Sequence, residues 1–353
     1  MTGQNIRGLI EAAALRLPVY AIGGVAGALA ARIGVPLPWM LGPFFVFAVL
    51  SASGMSFPLV PFGREMAQIA VGLAIGLRFT VASLMTLSLL LPEMVAATLY
   101  LMCVTTLAAV LFRRLAGVDP VTAFFATAAG GVADMAIIAK KFGGVSSSVA
   151  VVHAMRVSVV VAVTPFIVLA MSGQFGTGQP EAGVSPLLIV AGALVFAALG
   201  AALLRFTPIP NPWLVGPILA GMVLGVSGLG NFSVPGWLIM VAQVLLGVWL
   251  GCQFRRNLLT ALPRVTAAAL VVAGVLVLAA LLGAWVMSGL SSDLPFTTAF
   301  LALAPAAVTE MVLIAKVMNL DAETVAAFHV MRILIVSSSI LLVFRIYNSL
   351  RGA

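Results

Sequence analysis

The feature that most constrains this chain is that it contains itself twice. Thr122 to Arg156 aligns with Thr298 to Arg332 without a gap at an offset of 176, and fifteen of the 35 positions are identical. Chance similarity between apolar helices would match Ala, Leu and Val. Here the rare polar residues match: Lys140 with Lys316, His153 with His329, Arg156 with Arg332, and Asp134 with Glu310. The chain has two histidines, and they are equivalent. The match extends outward. Pro36-Leu37-Pro38-Trp39-Met40-Leu41-Gly42-Pro43 pairs with Pro210-Asn211-Pro212-Trp213-Leu214-Val215-Gly216-Pro217, and Gln68, Gly72, Gly76 and Phe79 pair with Gln243, Gly247, Gly251 and Phe254. A repeat of this size means one architectural unit used twice. The units are residues 1–172 and 186–353. The Gly-rich polar stretch 173–185 reads as the loop between them.

Each unit is apolar along its whole length. The chain is 63% hydrophobic and 8% charged, against about 25% charged for a soluble domain. That excludes a soluble enzyme, a disordered regulator and a secreted disulfide scaffold, and it fits a polytopic helical membrane protein. The net charge of +8 then marks cytoplasmic loops rather than nucleic-acid affinity. Apolar helices are expected at about 15–33, 36–54, 65–79, 88–112 and 146–172, with counterparts at 186–204, 212–228, 236–253, 264–288 and 322–345. The run from Leu17 to Ala31 resembles a cleavable leader. It is read instead as the first helix, because Arg32 and the Pro-x-Pro-Trp that follows are matched in the second unit.

Two segments, 119–141 and 294–317, are interrupted in the middle. Gly130-Gly131 breaks the first, and Ala304-Pro305-Ala306-Ala307 the second. Gly supplies backbone freedom, and Pro removes a donor. Twelve full spans would make the units parallel and leave only Arg7, Arg16, Arg64, Arg113, Arg114, Arg345 and Arg351 inside, the minority of the loop cations. Five spans plus a re-entrant hairpin per unit invert the units. Arg7, Arg16, Arg64, Arg113, Arg114, Lys140, Lys141, Arg205, Arg255, Arg256, Arg264, Arg345 and Arg351 then lie inside, and only Arg32, Arg78 and Lys316 outside. The positive-inside rule favours the inverted arrangement. The expected fold is therefore an all-α membrane protein of two inverted repeats, each of about five transmembrane helices plus one re-entrant hairpin. Such repeats with paired broken helices are a recurring plan of secondary transporters, whose substrate site lies at the repeat interface.

His153 and Arg156 share a helix face, as do His329 and Arg332. Arginines at such depth face a bundle interior or a wet cavity. Two readings stand side by side. In one, Arg156 pairs with Asp134 and Arg332 with Glu310, as salt bridges that brace hairpin to helix. In the other, the guanidinium forks hold an anionic group of a transported solute. Asp134 and Glu310, just past the hairpin tips, are candidates for a coupling ion or proton. His153 and His329 beside the arginines are candidates for solute or proton contact. Gly130 and Gly131 line the first tip, and Gln68 and Gln243 are further candidates. Lys140 and Lys316 are expected to snorkel to the interface. Gly72-x-x-x-Gly76 and Gly247-x-x-x-Gly251 read as packing stripes or as the face of a homodimer. No cofactor, metal or enzymatic activity is expected. Two histidines and two unclustered cysteines cannot build a copper or iron centre, and neither a His-Glu-x-x-His helix nor a P-loop is present. No segment looks able to bind DNA.

Gly-Gly-Val-Ala-Asp-Met (130–135) through His-Ala-Met-Arg (153–156), with its partner Ala-Pro-Ala-Ala-Val-Thr-Glu-Met (304–311) through His-Val-Met-Arg (329–332), resembles the AbrB duplication family of bacterial inner-membrane proteins. The resemblance covers essentially the whole chain. Members carry the labels "ammonia monooxygenase" and "transcriptional regulator". The first conflicts with the lack of metal ligands, and the second implies an indirect effect. The family is also distantly similar to the cation/proton antiporter and anion transporter superfamily. The resemblance implies a multi-pass protein of the bacterial inner membrane. Its function is expected to be secondary transport of a small polar or anionic solute, with proton coupling. The alternative is a non-transporting membrane protein that regulates gene expression indirectly. The expected partners are the lipid bilayer and the solute, with no direct nucleic acid.

Overall fold

A computed structural model describes residues 3–172, 186–207, 209–230, 232–291 and 293–352. The expected loop 173–185 and the side chains of Arg7 and Arg351 lie outside the described residues. The described residues are helical, with no strand among them. Five helices are long and apolar enough to cross a membrane: α5 (Leu91–Ala116), α8 (Ser146–Ser172), α9 (Leu187–Leu204), α13 (Pro263–Leu290) and α16 (Ala322–Gly352, of which Ala322–Ser349 qualifies). A sixth candidate is the pair α3 (Gly63–Gly76) and α4 (Val81–Leu89), bent by 93°. α1 (Gly3–Arg32) packs along α2 (Pro38–Ala52). The outward faces remain apolar, as with Leu188 and Leu199 on α9 and Leu278 and Trp285 on α13, all more than half exposed. An apolar exterior of this kind suits lipid.

The centre is built from four short helices: α2, α3, α10 (Pro212–Val226) and α11 (Gly236–Gly251), of 15, 14, 15 and 16 residues. At 1.5 Å per residue they run about 21–24 Å, too short to span a ~30 Å core alone. α2 and α10 are also shorter than the runs 36–54 and 212–228 expected from the sequence. They pack across the two units, α3 on α10 and α11 on α2. The glycine stripes permit this. A Cβ on Gly76 would lie 2.3 Å from the Ile218 carbonyl oxygen, and one on Gly247 would lie 2.3 Å from that of Met40. Both stripes are therefore spent on contacts inside the chain, and the homodimer face expected of them is not available there.

α2 and α10 start alike. Their caps, Leu37 and Asn211, have φ of 47° and 55°, and Pro follows at the first helical position. Asn accepts the left-handed region more readily than Leu does. Two helices were not expected from the sequence. α4 is held by a reciprocal Thr80–Ser83 capping box, and α12 (Arg256–Ala261) is a single short element.

The interrupted segments become helix pairs, α6 (Pro120–Thr127) with α7 (Val132–Lys141) and α14 (Phe296–Leu303) with α15 (Val308–Val317). The first doubles back on itself. The Val145 N–H, just past α7, donates to Thr122 Oγ1 in the first turn of α6 at 2.7 Å. Each leg is 8 or 10 residues, about 12–15 Å. α5 and α13 run antiparallel. The end of α5 meets the start of α13, where Arg264 Nε donates to the Leu115 carbonyl at 2.7 Å, while Tyr100 near the start of α5 donates to Ala279 far along α13. Arg64, at the start of α3, lies over the Trp249 ring near the end of α11, 4.4 Å from its centroid.

Candidate functional site

α8 and α16 each carry a His and an Arg against a hairpin break. His153 and His329 are fully buried, and Arg156 and Arg332 are 5% and 4% exposed. Arg156 Nη1 donates to the Thr127 and Ala128 carbonyls, both at 2.9 Å, and Nη2 donates to His153 Nδ1 at 3.1 Å. Arg332 repeats this with the Ala304 and Ala306 carbonyls at 2.9 and 3.0 Å and with His329 Nδ1 at 2.6 Å. A guanidinium can only donate, so each Nδ1 is an acceptor. The proton of each imidazole therefore sits on Nε2, which donates to the Phe125 carbonyl at 3.0 Å or to that of Leu301 at 2.9 Å. The histidines are neutral orienting groups that hold the forks.

The physical reason is the helix end. A half-helix that stops inside the protein leaves its last carbonyls without amide partners, at the negative end of its dipole. α6 and α14 stop in this way, and the guanidiniums cover carbonyls at these ends and in the break just beyond. This corrects the brace expected from the sequence. Neither Asp134 nor Glu310 lies within ion-pair distance of Arg156 or Arg332; an ion pair found among the described residues is Arg78–Glu323 at 3.8 Å. The arginines are braced by carbonyls, which leaves their charge uncompensated. The charge of Arg156 reaches Arg332, and the Nε–H of each is buried without an acceptor.

The carboxylates part company. Asp134 is exposed and folds over Gly131, where a Cβ would meet its Oδ2 at 2.8 Å. Glu310 is 1% exposed, and its Oε2 has no hydrogen-bond partner. The difference is one of docking. α15 packs on α3, α8, α14 and α16, whereas α7 lies against α6 and α8 and makes no comparable contact with α11. Gln68 on α3 joins the second hairpin: its Nε2 donates to Thr309 Oγ1 at 3.0 Å and to Asn211 Oδ1 at 3.1 Å. Gln243 is equally buried, but its Oε1 has no partner. Gly130 and Gly131 adopt no left-handed conformation, so the freedom expected of them is not what they supply. Gly131 caps α7 in extended backbone, and both glycines matter for their missing side chains. Lys140 is exposed and Lys316 half-buried. Thr309, Asn211 and Arg64 escaped the sequence reading. The signal was there in the mismatches: the counterpart of Thr309 is Ala133, and that of Asn211 is Leu37.

A family model described as "Transition state regulatory protein AbrB" matches residues 4–87 and 39–348. The chain is also similar to a protein of Escherichia coli (strain K12) named "Putative regulator AbrB". The two are 26% identical over 309 residues, which covers 85% of this chain and 87% of that protein.

Proposed function

The chain belongs to the AbrB family, and from that premise we propose that it is a multi-pass protein of the bacterial inner membrane, two inverted repeats with a re-entrant hairpin each, that transports a small anionic solute. The observation that carries this reading is the pair of buried arginines. Two guanidiniums sit at the hairpin breaks with their charge opposed by carbonyl dipoles alone and with an unused Nε–H on each. An uncompensated buried charge is costly, and an anion that accepts from both arginines relieves the cost. A carboxylate or another oxyanion has the geometry for it.

Inversion is supported by the antiparallel run of α5 with α13. Gating by the hairpins is supported by their unequal docking, one seated on α3 and the other withdrawn. Repeats of this kind alternate access by exchanging such positions.

The test is a thermal-shift screen of full-length protein against small carboxylates and oxyanions, with Arg156→Lys and Arg332→Lys alongside. Lysine keeps the charge and removes the fork. A ligand at 100 times its Kd adds about 2.7 kcal/mol to wild type. The expected result is hits on wild type that both folded variants lose, followed by flux of the same compound in liposomes. Folded variants that respond as wild type does would defeat the proposal.

A second reading, indirect regulation of gene expression, draws on the name of the Escherichia coli relative. In that case a regulatory phenotype survives Arg332→Lys with no solute flux in either protein.

A further inference from the structure

We propose that Glu310 is a proton-binding site and that only the second hairpin carries one. Glu310 occupies the first turn of α15, where amide dipoles favour an acceptor, and it is 1% exposed with Oε2 lacking any donor. A buried carboxyl oxygen that no protein group satisfies is a place where a proton can settle and leave. The neighbourhood is polar and specific. Gln68 ties Thr309, the residue before Glu310, to Asn211. Arg64 lies one helical turn before Gln68 on α3, half-buried over Trp249, and its charge reaches Glu310.

The first unit has none of this. Leu37 stands for Asn211, Ala133 for Thr309, and Ile239 for Arg64, while Asp134 lies exposed. The duplication gave each half a carboxylate, and the surroundings give only one of them a closed site.

The other charged or titratable groups near Glu310 are few. On the helices packed against α15, and among the residues whose side chains are described, α3 carries Arg64 and Glu65, α8 carries His153 and Arg156, and α16 carries Glu323, His329, Arg332, Arg345 and Tyr347; α14 carries none, and α15 itself carries Lys316. Both imidazoles are already committed at both nitrogens. The step is a single proton transfer. A proton from water on one side bonds to Oε2, the site goes from −1 to neutral, and the same bond breaks toward the other side. This deepens the transport reading and rests on it for its use as the coupling step.

The experiment is infrared difference spectroscopy of the full-length protein in lipid nanodiscs across pH, with no solute added. The probe is the C=O stretch of a protonated carboxyl. The expected result is a component of the titration that Glu310→Gln abolishes, that Asp134→Asn leaves in place, and that Arg64→Gln moves to higher pH, because a cation favours the ionised form. A titration from which Glu310→Gln removes no component, or a Glu310 component that vanishes in Asp134→Asn or stays fixed in Arg64→Gln, overturns the proposal. So does one that moves with sodium concentration at fixed pH, which would assign an alkali cation. Should Glu310→Gln fail to fold, the Asp134 and Arg64 variants decide. An intact transition together with a failed solute screen would leave the proton site standing and sink the transport reading.

Discussion

Gly247→Ala tests the central packing, and its cost can be worked out from the structure. A Cβ at 247 would lie 2.3 Å from the Met40 carbonyl oxygen and 3.1 Å from its carbon. Carbon and oxygen ordinarily approach to about 3.3–3.6 Å. The α2–α11 crossing must therefore open by about 1 Å. The obstructing atom belongs to helical backbone and cannot swing aside as a side-chain end would. Overpacking of this kind costs about 1–3 kcal/mol. Replacing a mid-helix glycine by alanine returns about 1 kcal/mol through helix propensity. Gly274 on α13 supplies the control, since a Cβ there meets nothing within 4 Å. The propensity gain is common to both substitutions, so the difference between them isolates the overpacking. Gly274→Ala should be neutral or up to about 1 kcal/mol more stable than wild type. Gly247→Ala should fall about 1–3 kcal/mol below Gly274→Ala. The assay is equilibrium unfolding in mixed detergent micelles followed by tryptophan fluorescence. A Gly247→Ala protein as stable as Gly274→Ala would refute the close approach of α11 to α2. It would also remove the frame that sets Trp249 beneath Arg64.

Gln68→Leu should cost about 1–3 kcal/mol in the same assay, because it strips the donor from Thr309 and Asn211, whereas Gln243→Leu removes an oxygen that has no partner and should be neutral or stabilising. Tyr100→Phe loses the bond to Ala279 that links α5 to α13 and should lower stability by about 0.5–1.5 kcal/mol. Single cysteines placed at 114 and 256 should be labelled by an impermeant thiol reagent from the same side of the membrane; labelling from opposite sides would restore the twelve-span topology and remove the inversion.

Much of this molecule is legible in the chain because it depends on local rules. Helices follow from apolar runs, from Pro at the starts of α2 and α10, and from breaks at Gly130 and Pro305. The duplication is visible because the rare polar residues recur at one spacing. His153 with Arg156 and His329 with Arg332 stand out as candidate site residues on that ground alone. The sequence reading missed α4, whose capping box uses Ser83 in place of the usual acid. It also overestimated the four central helices, since apolar runs continue past the point where the backbone turns.

What the sequence by itself determined is an apolar, helical chain with two arginines and two carboxylates at matched places of two similar segments. Only the tertiary structure decided what those groups touch. A buried donor takes whichever acceptor packing brings within 3 Å, and here that is the cap carbonyls at the ends of α6 and α14 rather than a carboxylate. The same holds for the acids. Asp134 and Glu310 are equivalent in the repeat, yet one is exposed and the other sealed, because α15 docks against α3 and α7 does not dock against α11. Periodicity is a property of one helix, whereas burial and partner choice belong to the helices that meet it.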